Sequence, residues 1–181
     1  VYINNKNNII KSDNYKNSVS YVSQDIFLFE GTILENITFG APEKEINMER
    51  LNSAISDSAL ERLVNKHPQK LNYIIKKLGK NFSAGERQRL TIARALYRNS
   101  EIIVFDEATS SLDNFFEKKI LNKLKKYKRG KIIFMITHRL STLNLCDKIY
   151  CIENGGVAEL TDKKKVIAQY KRVNYKNNKI K

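Results

Sequence analysis

Cysteine is nearly absent from this chain: Cys146 and Cys151 are the only two among 181 residues. They are too few and wrongly spaced for a metal knuckle, and they build no disulfide framework, a usage that suits the cytosol. Both are read as free thiols. Long apolar runs are missing as well. No stretch approaches the ~20 residues that a membrane-spanning helix needs, and no signal-peptide pattern is present, so membrane contact is expected only through a partner or a segment outside these residues. Acidic residues are scarce beside basic ones, 19 against 33, for a net charge of +14. Such a charge would suit nucleic acid or anionic lipid. The cations, however, gather as Lys123, Lys125, Lys126, Lys128, Arg129 and Lys131, and again from Lys163 to Lys181, without the interleaved aromatics of a base-stacking platform. They read as solvated surface, and no specific nucleic-acid partner is expected. Internal repeats are not apparent.

What is present is one domain's length of chain with 41% hydrophobic and 29% charged residues, the composition of a soluble globular protein. The most informative segment is Phe82-Ser83-Ala84-Gly85-Glu86, just ahead of an Arg-rich helical stretch. A Ser and a Gly there present a hydroxyl and backbone N–H groups at a helix N-terminus, where an anion is favoured. Downstream, Ile102-Ile103-Val104-Phe105 reads as a buried parallel strand, and Asp106-Glu107 follows at its C-terminal end, where open α/β sheets place ligands. Two adjacent carboxylates can divide the labour, one holding Mg²⁺ and one polarising a water. A second apolar run, Ile132 to Ile136, ends in Thr137-His138-Arg139-Leu140. Upstream, Val19 to Val22 reads as a strand ending near Gln24, followed by Phe27-Leu28-Phe29 and Gly31-Thr32-Ile33. Singly, each piece is commonplace: Ser-x-Gly is an ordinary helix cap, and Phe27, Leu28 and Phe29 could be plain core. Their combination in this order is specific.

In that order the segments resemble an ABC-type ATPase, over roughly residues 1 to 170. Ser83-Ala84-Gly85-Glu86 is similar to the family's signature motif, Ile102 to Glu107 to its Walker B strand, and Ser110 to Asp113 to its D-loop. His138 resembles the switch histidine and Gln24 the Q-loop glutamine, with the exporter-like form of the loop after it. The resemblance implies a fold of α/β class, a P-loop NTPase-like core sheet with an inserted helical subdomain at about residues 41–97. It implies ATP and Mg²⁺ as cofactors. Glu107 and His138 would be catalytic; Gln24, Ser83, Ala84, Gly85, Glu86 and Asp113 would contact nucleotide; Asp106 and Gln24 would attend the metal. The implied partners are a second ABC ATPase domain, sharing composite ATP sites, and a transporter's transmembrane domain, which places the chain at the cytoplasmic face of the cell membrane as an exporter-like translocase.

Two features depart from the family pattern. Ala84 stands where a Gly is commoner, and Lys77-Leu78-Gly79 stands where exporters usually have Glu-x-Gly. A larger gap is the phosphate-cradling Gly-x-x-x-x-Gly-Lys-Ser/Thr loop, which occurs nowhere in the 181 residues. The chain is therefore expected to be the part of such a domain that follows that loop, and to be inactive by itself. A soluble ABC ATPase acting on ribosome or nucleic acid and an inactive gene remnant are the alternative readings. Along the chain, the pattern predicts strands at 1–3 and 18–23 with a polar connection to about 17, helical spacing over 46–65, and a helix from Ser83. A crossover helix from Asn114 to Tyr127 leads to a strand at 131–136, and a hairpin turns at Asn154-Gly155-Gly156. Residues 171–181 form a basic tail expected to fray.

Overall fold

Ile102 to Phe105 does form a strand, and it lies in the middle of the sheet that organises the fold. The computed structural model describes residues 2–3, 6–7, 18–153, 155–160 and 162; the expected polar connection up to residue 17, Asn154 of the expected turn, and the tail lie partly or wholly outside them. Contacts divide the chain into a unit over Val1–Ile136 and a second over Thr137–Lys181.

In the first unit, β1 (Tyr2–Ile3) and β2 (Lys6–Asn7) pair antiparallel. They are followed by β3 (Val19–Val22), β4 (Gly31–Thr32), α1 (Ile33–Thr38), α2 (Met48–Asp57) and α3 (Glu61–Lys66). Next come β5 (Ile74–Ile75), α4 (Ala84–Arg98), β6 (Ile102–Asp106), α5 (Asn114–Leu124) and β7 (Ile132–Ile136). The order β3-β6-β7 makes a parallel sheet, with Val19 opposite Ile102 and Val104 opposite Phe134. This is the expected α/β core, with helical crossovers between parallel neighbours.

The strands are less buried than their sequence suggests. Ser20, Val22, Ile103 and Phe105 are buried on one face, while Val19, Tyr21, Ile132, Phe134 and Ile136 are exposed. An unbroken apolar run is the pattern of a strand covered on both sides, yet among the described residues the second face of this sheet lies open. The helical stretch over 46–65 is also broken in two. Ala59 takes a left-handed φ of +58°, the Leu60 N–H donates to the Ile55 carbonyl at 2.9 Å, and the Ala59 N–H donates to that of Ser56 at 3.1 Å. That pair of bonds is a Schellman stop. With alanine in place of the usual glycine it leaves no mark in the sequence. The crossover helix likewise stays α-helical only to Leu124 and tightens to a 3₁₀ turn over Lys125–Arg129.

Two polar clusters join distant elements. Asp57 is buried at the end of α2, accepts from the Tyr127 hydroxyl at 2.6 Å and pairs with Lys126 at 2.5 Å. Burial and that hydrogen bond push the Tyr127 hydroxyl well above its ordinary pKa. The second cluster holds the segment after Gln24. Asn36 is buried, donates to the carbonyls of Phe29 and Thr32, and accepts from the Phe29 N–H. Arg94 reaches across from α4, donating Nε to the Asn36 carbonyl at 2.7 Å, Nη1 to the Phe27 carbonyl at 3.0 Å and Nη2 to Asn36 Oδ1 at 3.2 Å. Burial lowers the Arg94 pKa to about 10, so the side chain stays charged at neutral pH.

The second unit contains α6 (Leu140–Leu143) and a hairpin of β8 (Tyr150–Glu153) and β9 (Gly156–Glu159), with Tyr150 opposite Glu159. Lys148 pairs with Glu159 at 3.3 Å across the hairpin base.

Only a planar fork can reach the three acceptors around Arg94, so Arg94→Lys keeps the charge and loses most of the geometry. The substitution is expected to lower the unfolding free energy by about 2–3 kcal/mol, read as a shift in the urea midpoint at unchanged slope.

Candidate functional site

Ser83 is the N-cap of α4 with an extended φ of −65° and ψ of 162°. Its Oγ accepts from the Glu86 N–H at 3.3 Å, and the Glu86 carboxylate accepts from the Ser83 N–H at 2.8 Å, completing a capping box. An accepting Ser hydroxyl still has its own proton to give. Ala84 is the first residue inside α4, where the backbone is helical and any L residue fits; the departure from glycine costs nothing in conformation. Gly85 is different. A Cβ built on it would stand 3.2 Å from the Ser111 carbonyl oxygen, so the first turn of α4 approaches the loop after β6 as closely as it does because that side chain is missing.

That loop is held from below by Gln88, a fully buried residue one turn into α4. Its Oε1 accepts from the Ser111 N–H at 2.9 Å, and its Nε2 donates to the Glu107 carbonyl over a longer 3.4 Å. Asp113 then caps α5, accepting from the N–H groups of Phe115 and Phe116 at 3.0 Å each. The result is an open cleft of about 610 Å³. Ser83, Ala84, Gly85, Glu86 and Asp113 all border it, together with Ser111, Arg89, Phe116 and a face of α3. Five of the residues singled out from the sequence are thus brought to one place, and it is the N-terminal end of a long helix, which favours an anion.

The carboxylates form a separate group. Asp106 ends β6 and accepts from the Tyr21 hydroxyl of the neighbouring strand at 2.5 Å; that bond raises the Tyr21 pKa. Glu107 follows in a left-handed conformation, φ +47°, uncommon for a residue with a side chain. It is kept there by its N–H donating to the Ile136 carbonyl at 3.0 Å and its carbonyl accepting from the Ser110 N–H at 2.9 Å. Backbone strain of that kind clusters at working sites. The Gln24 amide lies 3.4 Å from the Glu107 carboxylate, so the glutamine after β3 and the acid after β6 meet at the same end of the sheet. His138 belongs to the second unit, where its side chain is exposed.

Gln88, Tyr21, Arg89 and Arg94 escaped the sequence reading. A glutamine or arginine inside an amphipathic helix gives no periodic signal that separates a buried polar clamp from a solvated side chain. Only the run Arg87-Gln88-Arg89, polar where the helix should turn inward, hints at it.

Known proteins resemble this chain in sequence and fold. The ABC transporter family matches residues 2–110. The lactococcin-G-processing and transport ATP-binding protein LagD of Lactococcus lactis subsp. lactis is 41% identical over 81% of this chain and 20% of its own length. An ATP-dependent lipid A-core flippase of Cupriavidus pinatubonensis is 39% identical over 80% of this chain and 25% of its own. Among solved structures, a bacterial Atm1-family ABC exporter with ATP bound superposes with a TM-score of 0.80 at 29% identity, over 90% of this chain and 29% of that one. The chain therefore spans between a fifth and a quarter of these two curated relatives.

The Gln88 bridge is open to test. Gln88→Leu keeps the volume but strands the Ser111 N–H, and is expected to cost about 1–2 kcal/mol. The amide of Ser111 should exchange its hydrogen at least about tenfold faster while amides in the middle of β6 change no more than global stability requires.

Proposed function

Because this chain belongs to the ABC transporter family, we propose that it supplies the signature half of one composite ATP site and the Walker B half of another, in an exporter-like transporter that couples ATP hydrolysis to transport. The observation that carries this reading is the separation of the two groups: a capped helix end bordered by Ser83, Gly85 and Asp113, and a carboxylate cluster of Asp106 and Glu107 beside Gln24. A helix end that favours anions and stands apart from the carboxylates suits a nucleotide held mainly by another subunit. The names of the relatives, a lipid A-core flippase and a bacteriocin transport protein among them, agree with an export function.

In this reading Glu107 takes a proton from the water that attacks the γ-phosphorus, while Gln24, whose amide lies 3.4 Å from the Glu107 carboxylate, orients that water. His138, two residues after β7, is the residue to which the family resemblance gives the γ-phosphate. The donor set suits Mg²⁺, which takes one or two protein oxygens and leaves its other positions to water and substrate phosphates. The Gln24 amide oxygen, and Asp106 through a water, would hold the ion, and no cluster of three or more acidic, His or Cys side chains occurs among the described residues. Bound there, the ion would neutralise charge on the phosphates. A second ABC ATPase domain completes each site. A transmembrane domain docks near the segment after Gln24, where Phe27 and Phe39 are exposed, and holds the chain at the cytoplasmic face of the membrane.

The roles separate by substitution in a protein that carries this chain together with a phosphate-binding loop. Glu107→Gln should lower turnover by roughly 10²–10⁴-fold and leave ATP binding intact; near-normal turnover would point to a different base. Ser83→Arg should block ATP-driven pairing of the domains while each still binds ATP, as measured by nucleotide binding and by light scattering on the same samples. Normal pairing, or loss of binding in the unpaired subunit, would remove Ser83 from the shared site.

A further inference from the structure

The cleft at the start of α4 has a second wall that the signature residues do not explain. It is made by α3, whose Arg62 and Lys66 both border the cleft. They are four residues apart and so lie on one helix face, with Leu63 buried behind them. Both are exposed, and among the described residues neither takes part in a hydrogen bond or ion pair. The acid that precedes them, Glu61, is turned to Lys119 at 3.2 Å. At the floor lies Arg89, with only 7% of its surface accessible. Its guanidinium stacks on Phe116 at 3.9 Å and its Nε has no hydrogen-bond partner. Such a group is costly to bury without an acceptor.

Two carboxylates, Glu86 and Asp113, border the same cleft and attract the Arg89 guanidinium, so they offset part of its charge. Glu86 is committed to the Ser83 N–H and Asp113 to the N–H groups of Phe115 and Phe116. Three cations and a helix N-terminus converge on one open volume that holds two carboxylates, which leaves an excess of positive charge on the α3 side. A lone cation on a chain of this charge would be a solvated side chain. A pair on one helix face, opposite an anion-favouring helix end and above a buried arginine with an unmet donor, is a built surface.

We propose that Arg62 and Lys66 are phosphate-binding residues: together with Arg89 at the floor they hold the polyphosphate of a nucleoside triphosphate against the Ser83–Gly85 edge. The proposal rests on the composite-site reading and adds residues to it. It makes the strength of the cleft depend on the ligand's charge, so that a triphosphate is held better than a diphosphate and an uncharged nucleoside is not held at all.

The test is an amide chemical-shift titration of the 181-residue chain at low ionic strength, with ATP, ADP, inorganic tripolyphosphate and adenosine as probes. Spectra of each variant report its fold directly. Shifts are expected at Ala84, Gly85 and α3 with ATP and tripolyphosphate, weaker with ADP and absent with adenosine. Arg62→Glu combined with Lys66→Glu should weaken the response to ATP and tripolyphosphate by about three- to tenfold. The control Lys44→Glu with Lys125→Glu, which changes net charge equally and lies off the cleft, should weaken it much less. Unchanged affinity in the α3 variant, or an equal loss in the control, overturns the α3 wall and leaves the signature reading standing. Absence of any response at Ala84 and Gly85 to every phosphate probe overturns the proposal and leaves the composite-site reading standing, since there another subunit holds the nucleotide. Equal binding of adenosine and ATP would show base recognition in place of charge recognition and overturn the proposal. Tripolyphosphate matching ATP assigns the cleft to phosphate alone; a stronger response to ATP adds the nucleoside to a site that still reads charge.

Discussion

A helix start that faces solvent leaves backbone N–H groups without partners, and the way α4 meets that requirement governs the rest of the structure. The capping box satisfies two of them reciprocally, through Ser83 and Glu86. It leaves the first turn otherwise bare, because Ala84 and Gly85 carry too little side chain to cover it. The same smallness lets the loop after β6 come within contact of the helix, and that approach positions Ser111 and Asp113 around the opening. Had Gly85 a side chain, its Cβ would stand 3.2 Å from the Ser111 carbonyl oxygen, and the loop would have to give way slightly at the edge of the cleft.

The remaining order comes from polar side chains that reach between elements. Gln88 ties α4 to the loop bearing Glu107, and Arg94, two turns further along the same helix, ties it to the segment after Gln24. Each is buried enough that water does not compete well for its partners. Apolar packing supplies most of the burial energy, through Leu90, Ile92, Ala93 and Leu96, but it is indifferent to small slides of one element past another. Directional hydrogen bonds to backbone carbonyls are not. The helix therefore fixes the register of both loops.

The parts legible in the sequence were those that repeat a pattern or concentrate unusual residues. Two apolar runs and the Val19–Val22 segment announced the parallel strands, and Ser83, Asp106, Glu107 and Gln24 were readable because each stands at the end of an element where a polar residue has a recognisable purpose. The helix break at Ala59 was not readable, since a left-handed stop without glycine has no local mark. Nor was the open face of the sheet: an isoleucine has the same letter whether a neighbour covers it or not. Arg62 and Lys66 were hidden by the surrounding charge, in a chain where a basic residue is the commonest thing to find. Their significance depends on Leu63 turning inward and on Glu61 turning away, which only the packing of α3 decides.

The amide of Gln88 touches the loop that carries Glu107 and, through its own helix, is one turn from the cap that carries Ser83. In the paired arrangement proposed above, those two ends belong to different nucleotides: Glu107 faces the one held by its own subunit, Ser83 the one held by the other. A shift of the helix start on engaging one nucleotide is transmitted by a single side chain to the acid waiting at the second. By linkage the coupling works equally in the opposite direction. In that proposed arrangement the buried glutamine would make the binding of two ATP molecules across the pair depend on one another.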